Sequence, residues 1–169
     1  MKYLILPVLV AWSYSLAAQN TAELERRNGF KSIKLGQPID SVTGASFRKD
    51  SKEKNEYPVK VYEVTDETLE KIGEVNVRKV EVKTYKDNIY EIRVITDKDV
   101  RLMKGMTKAF GEPKYILVTD SYNWVAPTLS LTFKDFSKNE ILLTYRYYPL
   151  LKQMQLDKGK KIDDISTDF

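Results

Sequence analysis

This chain contains no histidine and no cysteine, so carboxylates, serine-lysine neighbours and a group of aromatic rings are the residues that could do chemistry. The absence closes Ser-His-Asp and Cys-His nucleophilic catalysis, imidazole acid/base work and nearly all zinc sites. Paired-carboxylate hydrolysis, Ser-Lys catalysis and cation sites built from oxygen alone stay open. Close acidic pairs occur at Glu63 and Asp66, Glu67 and Glu70, and Asp163 and Asp164. A glycosidase needs two carboxylates facing each other across roughly 5–10 Å. These pairs fall on short or exposed segments, which reads as solvated surface. Ser32-Ile33-Lys34, Ser51-Lys52 and Ser137-Lys138 give no convincing Ser-Lys dyad, and the alternating acids of a calcium loop are missing. The sequence thus offers no catalytic residue, no metal ligand and no cofactor site, and reads as non-enzymatic.

The aromatic group is more informative. Tyr122, Trp124, Tyr145, Tyr147 and Tyr148, with Arg146 among them, sit at strand-like spacings near the C-terminal end. On the exposed face of a sheet such rings form an amphipathic platform that holds a protein or a sugar, and the guanidinium can stack between them. Core and rim packing of the same rings is the other reading. The expected binding residues are Tyr122, Trp124, Tyr145, Arg146 and Tyr147. The basic positions Arg78, Lys79, Lys83, Lys86 and Lys104 are interspersed with acids, and the net charge is only +4. A solvated sheet face is expected there, with no nucleic-acid partner.

The elements that must position these residues are read from periodicity. The clearest is a hairpin: Val80, Val82 and Thr84 alternate with Lys79, Glu81 and Lys83, Lys86-Asp87-Asn88 supplies the turn, and Tyr90, Ile92 and Val94 alternate with Glu91 and Arg93. After Asp97 or Asp99 as a cap, Val100, Leu102, Met103, Met106, Ala109 and Phe110 recur at helical spacing, and Gly111 with Pro113 stops the helix. Gly105 lies inside it at a cost of about 1 kcal/mol relative to alanine, which suggests a close approach of helix to sheet.

Short strands are expected over 29–35 and 58–64. Short helices are expected after Pro38 and over 66–72. The charged run 48–57 reads as a solvated loop. Beyond Pro113 come strands around Tyr122-Trp124, Leu129-Phe133 and Ile141-Tyr148. A short helix over 150–156 closes the domain, and 157–169 reads as a polar tail.

Residues 1–18 have a lysine at position 2, an apolar run from Tyr3 to about Trp12, and small residues at Ser15, Ala17 and Ala18. This is the pattern of a secretory leader. The apolar run is shorter than the ~20 residues of a membrane-spanning helix. The expectation is therefore an exported chain, periplasmic or secreted, without a membrane span once the leader is removed. An exported chain of this size without cysteine points to a bacterial envelope.

The order IKLGQPIDSV, YKDNIYEIRVIT, AFGEP and Tyr-x-Trp resembles a group of uncharacterised exported bacterial proteins. More distantly it resembles the two-layer domains of small barrel-assembly lipoproteins and of β-lactamase inhibitory proteins. The resemblance implies a non-enzymatic module with helices on one face of an antiparallel sheet. It departs from both distant groups, because the lipoproteins carry an acylated cysteine and the inhibitors carry disulfides.

The sequence thus predicts one α+β domain over 19–156, an antiparallel sheet with two or three short helices packed on one face, in two similar helix-then-strands halves. It would bind a protein or glycan of the cell envelope through an open sheet face or edge. An inhibitor or immunity protein for an envelope enzyme or toxin fits the same description, and a small carboxylate-dependent hydrolase is the alternative from another class.

Overall fold

The computed structural model describes residues 21–54 and 56–166, leaving aside the side chains of 163–165. The expected leader over 1–18 and the carboxylates Asp163 and Asp164 lie outside what is described. The expected hairpin is the centre of the fold. Strand β6, Val75–Tyr85, turns into β7, Asn88–Asp97, through two residues in the left-handed region, Lys86 (φ 50°) and Asp87 (φ 61°). That pair gives the tight turn whose twist matches the strands it joins. Asn88 already belongs to β7, and its side-chain amide donates back to the Lys86 carbonyl at 2.9 Å.

Around this hairpin the chain opens with helix α1, Thr21–Arg27, and a miniature hairpin of β1, Gly29–Phe30, and β2, Ile33–Lys34. Then follow β3, Ala45–Glu53, β4, Tyr57–Val64, and the two-residue β5, Lys71–Ile72. After the central hairpin come α2, Val100–Phe110, then β8, Lys114–Ile116, β9, Ser121–Val125, β10, Leu129–Ser137, β11, Glu140–Tyr147, and α3, Tyr148–Ser166. The main sheet runs β3-β4-β6-β7-β11-β10-β9-β8, antiparallel throughout, with β5 pairing beside β6. Two four-stranded meanders, each ordered from its outer strand inwards, therefore meet where β7 pairs β11.

Alternation divides the sheet. On one face Val82, Ile92, Val94, Leu131, Leu143 and Trp124 form the main core under Leu24 of α1, Phe30 and Ile33 of the small hairpin, and Leu102 and Phe110 of α2. On the other, Val59, Tyr85 and Tyr90 form a second cluster with Met154 of α3. Helices therefore lie on both faces, correcting the one-sided expectation. Asp99 caps α2 by accepting from the Arg101 amide at 2.8 Å, and Gly111 (φ 77°) ends it. Val100, read as part of its apolar stripe, is 74% exposed, because it occupies the first turn beyond the edge of the core.

Three further expectations are corrected. The charged run 48–57 supplies most of β3, an edge strand held by its ladder to β4; with most of its side chains in water it carries no apolar alternation. The segment after Pro38 forms a single 3-10 turn, Ile39–Ser41, as does Glu67–Leu69, where the Asp66 carboxylate accepts from the Thr68 amide at 2.8 Å. The closing helix does not stop at 156. It continues to Ser166, because Asp157 accepts from the Tyr85 hydroxyl at 2.7 Å and pairs with Lys86 at 2.6 Å, while Lys158 reaches Glu56 at 2.8 Å. Among the described residues no helix is long and apolar enough to cross a membrane.

Candidate functional site

The register decides where the five expected binding residues go. Tyr122 pairs with Phe133, Trp124 and Tyr145 both pair with Leu131, and Tyr147 pairs with Leu129. The four rings therefore share one face, but it is the covered face. Trp124 is 1% exposed, set edge-on against Phe110 at 6.3 Å, with its indole N–H donating to the Gly111 carbonyl at 2.7 Å. Tyr147 packs half-buried against the main core, close enough to Gly36 that a Cβ there would lie 3.1 Å from its ring. Tyr122, one strand in from the sheet edge, is 40% exposed and leans on Tyr115 of β8 with ring centroids 5.1 Å apart. Arg146 alone projects from the opposite face. No open aromatic platform is assembled from the five.

The opposite face carries a lattice of ion pairs where it is not covered by α3. Arg146 Nε donates to Glu91 at 2.7 Å, Lys83 lies between Glu91 at 3.0 Å and Glu53 at 3.4 Å, and the Tyr90 hydroxyl donates to Glu53 at 2.9 Å. Along the next row Glu81 meets Lys79 at 2.5 Å and Arg93 at 3.5 Å, and Glu63 meets Arg48 at 3.1 Å. Glu63, expected to be a solvated surface acid, is held by a surface arginine.

A concave site lies on the covered face, between the layers. The small β1–β2 hairpin and α1 stand on one side, α2 on the other and the 72–75 turn closes one end; together they enclose a pocket of about 710 Å³. Its walls are mainly apolar: Phe30, Ile72, Leu102, Met106 and Phe110 contribute, and Leu143 and Tyr145 of β11 form the floor. Gly105 is part of the α2 wall. A Cβ placed on it would meet nothing within 4 Å, so the glycine does not let helix and sheet touch, as expected from sequence. It leaves room in the wall.

Polar groups are few and mostly basic. Arg27, Lys31, Lys34 and Arg101 border the pocket, against one carboxylate, Glu74. Glu74 accepts from Arg101 at 2.5 Å, and no second described acid lines the pocket opposite it. The guanidinium of Arg27 lies 5.3 Å over the Phe110 ring and its Nε donates to Glu23 at 2.6 Å. Lys34 Nζ donates to the Arg27 carbonyl at 2.8 Å and Lys31 Nζ to the Thr68 carbonyl. Among the described residues no group of three or more acids is close enough to hold a metal ion.

Of the expected binding residues only Tyr145 reaches this pocket. Arg27, Lys34 and Gly105 were missed. The signal for them was present in Gly105, a costly residue in the middle of an otherwise favourable helix, and in the run of basic residues at 26–34. No protein-family model matches the chain, and no curated protein or solved structure matches it.

The ionisable groups of both faces set a stability profile. Burial works to raise the Glu53 carboxyl, but Lys83, the Tyr90 hydrogen bond and Arg146 outweigh it and hold it below its ordinary value of 4.5. Burial likewise works to raise the Glu81 carboxyl, and Lys79 and Arg93 outweigh it and hold it low. Burial drives the phenols upward: Tyr85 is pushed up to about 12, with help from Asp157, and Tyr90 and Tyr145 are raised as well. A carboxyl depressed on folding stabilises above its unfolded value and loses that contribution as pH falls through the folded one. A phenol raised on folding stabilises below pH ~10 and loses its contribution as pH climbs beyond. With no histidine to titrate between, the melting temperature is expected to be flat from about pH 6 to 9 and to fall on both sides. Melts across pH 3–11 check this, and a slope inside the plateau would contradict it.

Proposed function

We propose that this chain is an exported, non-enzymatic binding module whose ligand occupies the pocket between α2 and the β1–β2 hairpin. The observation that carries the reading is the pocket itself, about 710 Å³ and mainly apolar, with a few convergent polar groups at its border. That size and lining are those of sites that enclose most of a small ligand or of a partner's apolar group. Export is supported by the leader pattern over 1–18. The lining favours an apolar ligand over a glycan, whose hydroxyls would find few partners there. The open sheet face is a weaker candidate, because a partner would have to break ion pairs that already satisfy one another. The exposed edge at Tyr115, Leu117, Val118 and Tyr122 is weaker too, since β8 has only three residues to offer a pairing strand.

Gly105 gives the test. Its interior helical position and the open space above it mean that Gly105→Ala should stabilise the fold by about 1 kcal/mol, the difference in helix propensity. Gly105→Leu should stabilise it comparably while filling the pocket. An uncharged fluorophore such as N-phenyl-1-naphthylamine is expected to brighten with the wild type and with Gly105→Ala, and not with Gly105→Leu. Equal brightening by a folded Gly105→Leu would remove the pocket as the binding site.

A further inference from the structure

The pocket's border has donors that no described residue uses, and they lie together. Tyr145 is only 7% exposed, yet its hydroxyl makes no hydrogen bond to a described residue. Among the described residues the fully enclosed side-chain atom without a partner is Thr84 Oγ1, whereas the Tyr145 hydroxyl keeps contact with the pocket. A buried hydroxyl without a partner costs free energy unless something enters to accept its proton. Arg27 spends only its Nε on Glu23, and Glu23 is shared with Arg26, which takes both of its oxygens at 2.8 Å. Both terminal amino groups of Arg27 are left without an acceptor among the described residues. Lys34 gives one of its three protons to the Arg27 carbonyl and pairs with no described carboxylate. Two cations and a phenol thus converge at one border of an apolar cavity, with one acid shared between two arginines.

We propose that the pocket takes an amphipathic carboxylate, a long-chain acyl anion, with its head among Arg27, Lys34 and the Tyr145 hydroxyl and its chain running along α2 past Gly105 and Met106. The inference rests on the pocket reading above and specifies its ligand. A carboxylate fits the charge, because one acid shared by Arg26 and Arg27, beside a Lys34 that pairs with no described carboxylate, leaves this border positive. Its two oxygens can accept from the Arg27 amino groups and the phenol at once, and hydrogen bonds to a charged acceptor are the strong ones. The apolar walls at Phe30, Met106 and Phe110 match a hydrocarbon chain. Arg101 at the far border is already held by Asp99 and Glu74, so it does not compete for the head group.

The experiment titrates the purified protein calorimetrically with dodecanoate, dodecanol and dodecyltrimethylammonium, each below its aggregation threshold. Dodecanoate is expected to bind at least about tenfold more tightly than either of the others, the worth of one charge-assisted hydrogen bond. Lengthening the chain by one methylene should tighten binding about fourfold. Tyr145→Phe and Lys34→Met should each weaken dodecanoate several-fold and dodecanol by clearly less, because a charged acceptor gains more from each donor. Tyr145→Phe removes a hydroxyl with no partner among the described residues, so its melting temperature should equal or exceed that of the wild type, which separates a binding loss from a folding loss. Dodecanol or the cation binding as tightly as dodecanoate would overturn the head-group assignment and leave the apolar pocket standing. Failure of all three to bind, while the uncharged fluorophore still distinguishes Gly105→Leu, would overturn the acyl ligand alone. Failure of the fluorophore as well would remove both readings.

Discussion

Trp124→Ala is expected to destabilise the fold by about 3–5 kcal/mol, the cost of removing a large enclosed ring from a core that can only partly close over the gap. Three separate losses fall on this position. The ring is 1% exposed, so nearly all of its apolar surface is given back to water. Its edge-on contact with Phe110 is lost at the C-terminal end of α2. Its indole N–H no longer satisfies the Gly111 carbonyl, the group that follows the helix stop. Trp124→Phe keeps much of the volume and loses the hydrogen bond, so its cost should be nearer 1–2 kcal/mol. Urea unfolding, read as a midpoint shift at constant slope, measures both. Because a domain of this size is stable by only about 5–15 kcal/mol, a Trp124→Ala variant that fails to bind a partner reports on folding and not on contact. A loss below about 1 kcal/mol would mean that the ring is not enclosed as described.

The same residue shows how far the sequence could be read. Local signals were legible. The alternation of Val80 and Val82 with Glu81 and Lys83, the Asp99 cap and the Gly111 stop each act within a few residues, and all stand where expected. Signals completed at long range were not. Arg48 to Glu53 shows no apolar period, because a strand at the sheet edge with wet side chains owes its form to backbone bonds with β4. The helix beyond Leu156 depends on Tyr85 and Lys86, some seventy residues upstream in the chain. The spacing of Tyr122, Trp124, Tyr145 and Tyr147 placed them correctly on one face, but spacing does not tell which face the helices cover. Gly105 was recognised as unusual and assigned to close packing, since a sequence shows one wall of a cavity without the other. The pocket needs α1, the small hairpin, α2 and β11 together, and none of those pairings is written in a local pattern.

Glu91→Ala is the second large effect expected, and it concerns the face opposite the pocket. Glu91 is 2% exposed and bridges Arg146 at 2.7 Å and Lys83 at 3.0 Å. Truncating it leaves two cations side by side with only Glu53 to share, at 3.4 Å from Lys83 and 3.7 Å from Arg146. Breaking a fully buried pair costs 3–5 kcal/mol; here the side chain of Arg146 is 44% exposed and can recover water, which lowers the expectation to about 2–4 kcal/mol. Arg146→Ala alone should cost less, since Lys83 still faces Glu91. The Glu91→Ala, Arg146→Ala double variant should lose less than the sum of the two, by about 1 kcal/mol or more, because the second truncation removes a cation that the first left unmatched. Unfolding at pH 7 in 0.1 M and 1 M salt completes the cycle. A coupling that persists in high salt belongs to an enclosed pair, whereas additivity within about 0.5 kcal/mol would show that the lattice is a set of independent surface contacts. Persistent coupling would also bear on binding. A face whose charges are already satisfied at this cost offers a partner little to gain, while the unused donors at Arg27, Lys34 and Tyr145 lie on the other side of the sheet.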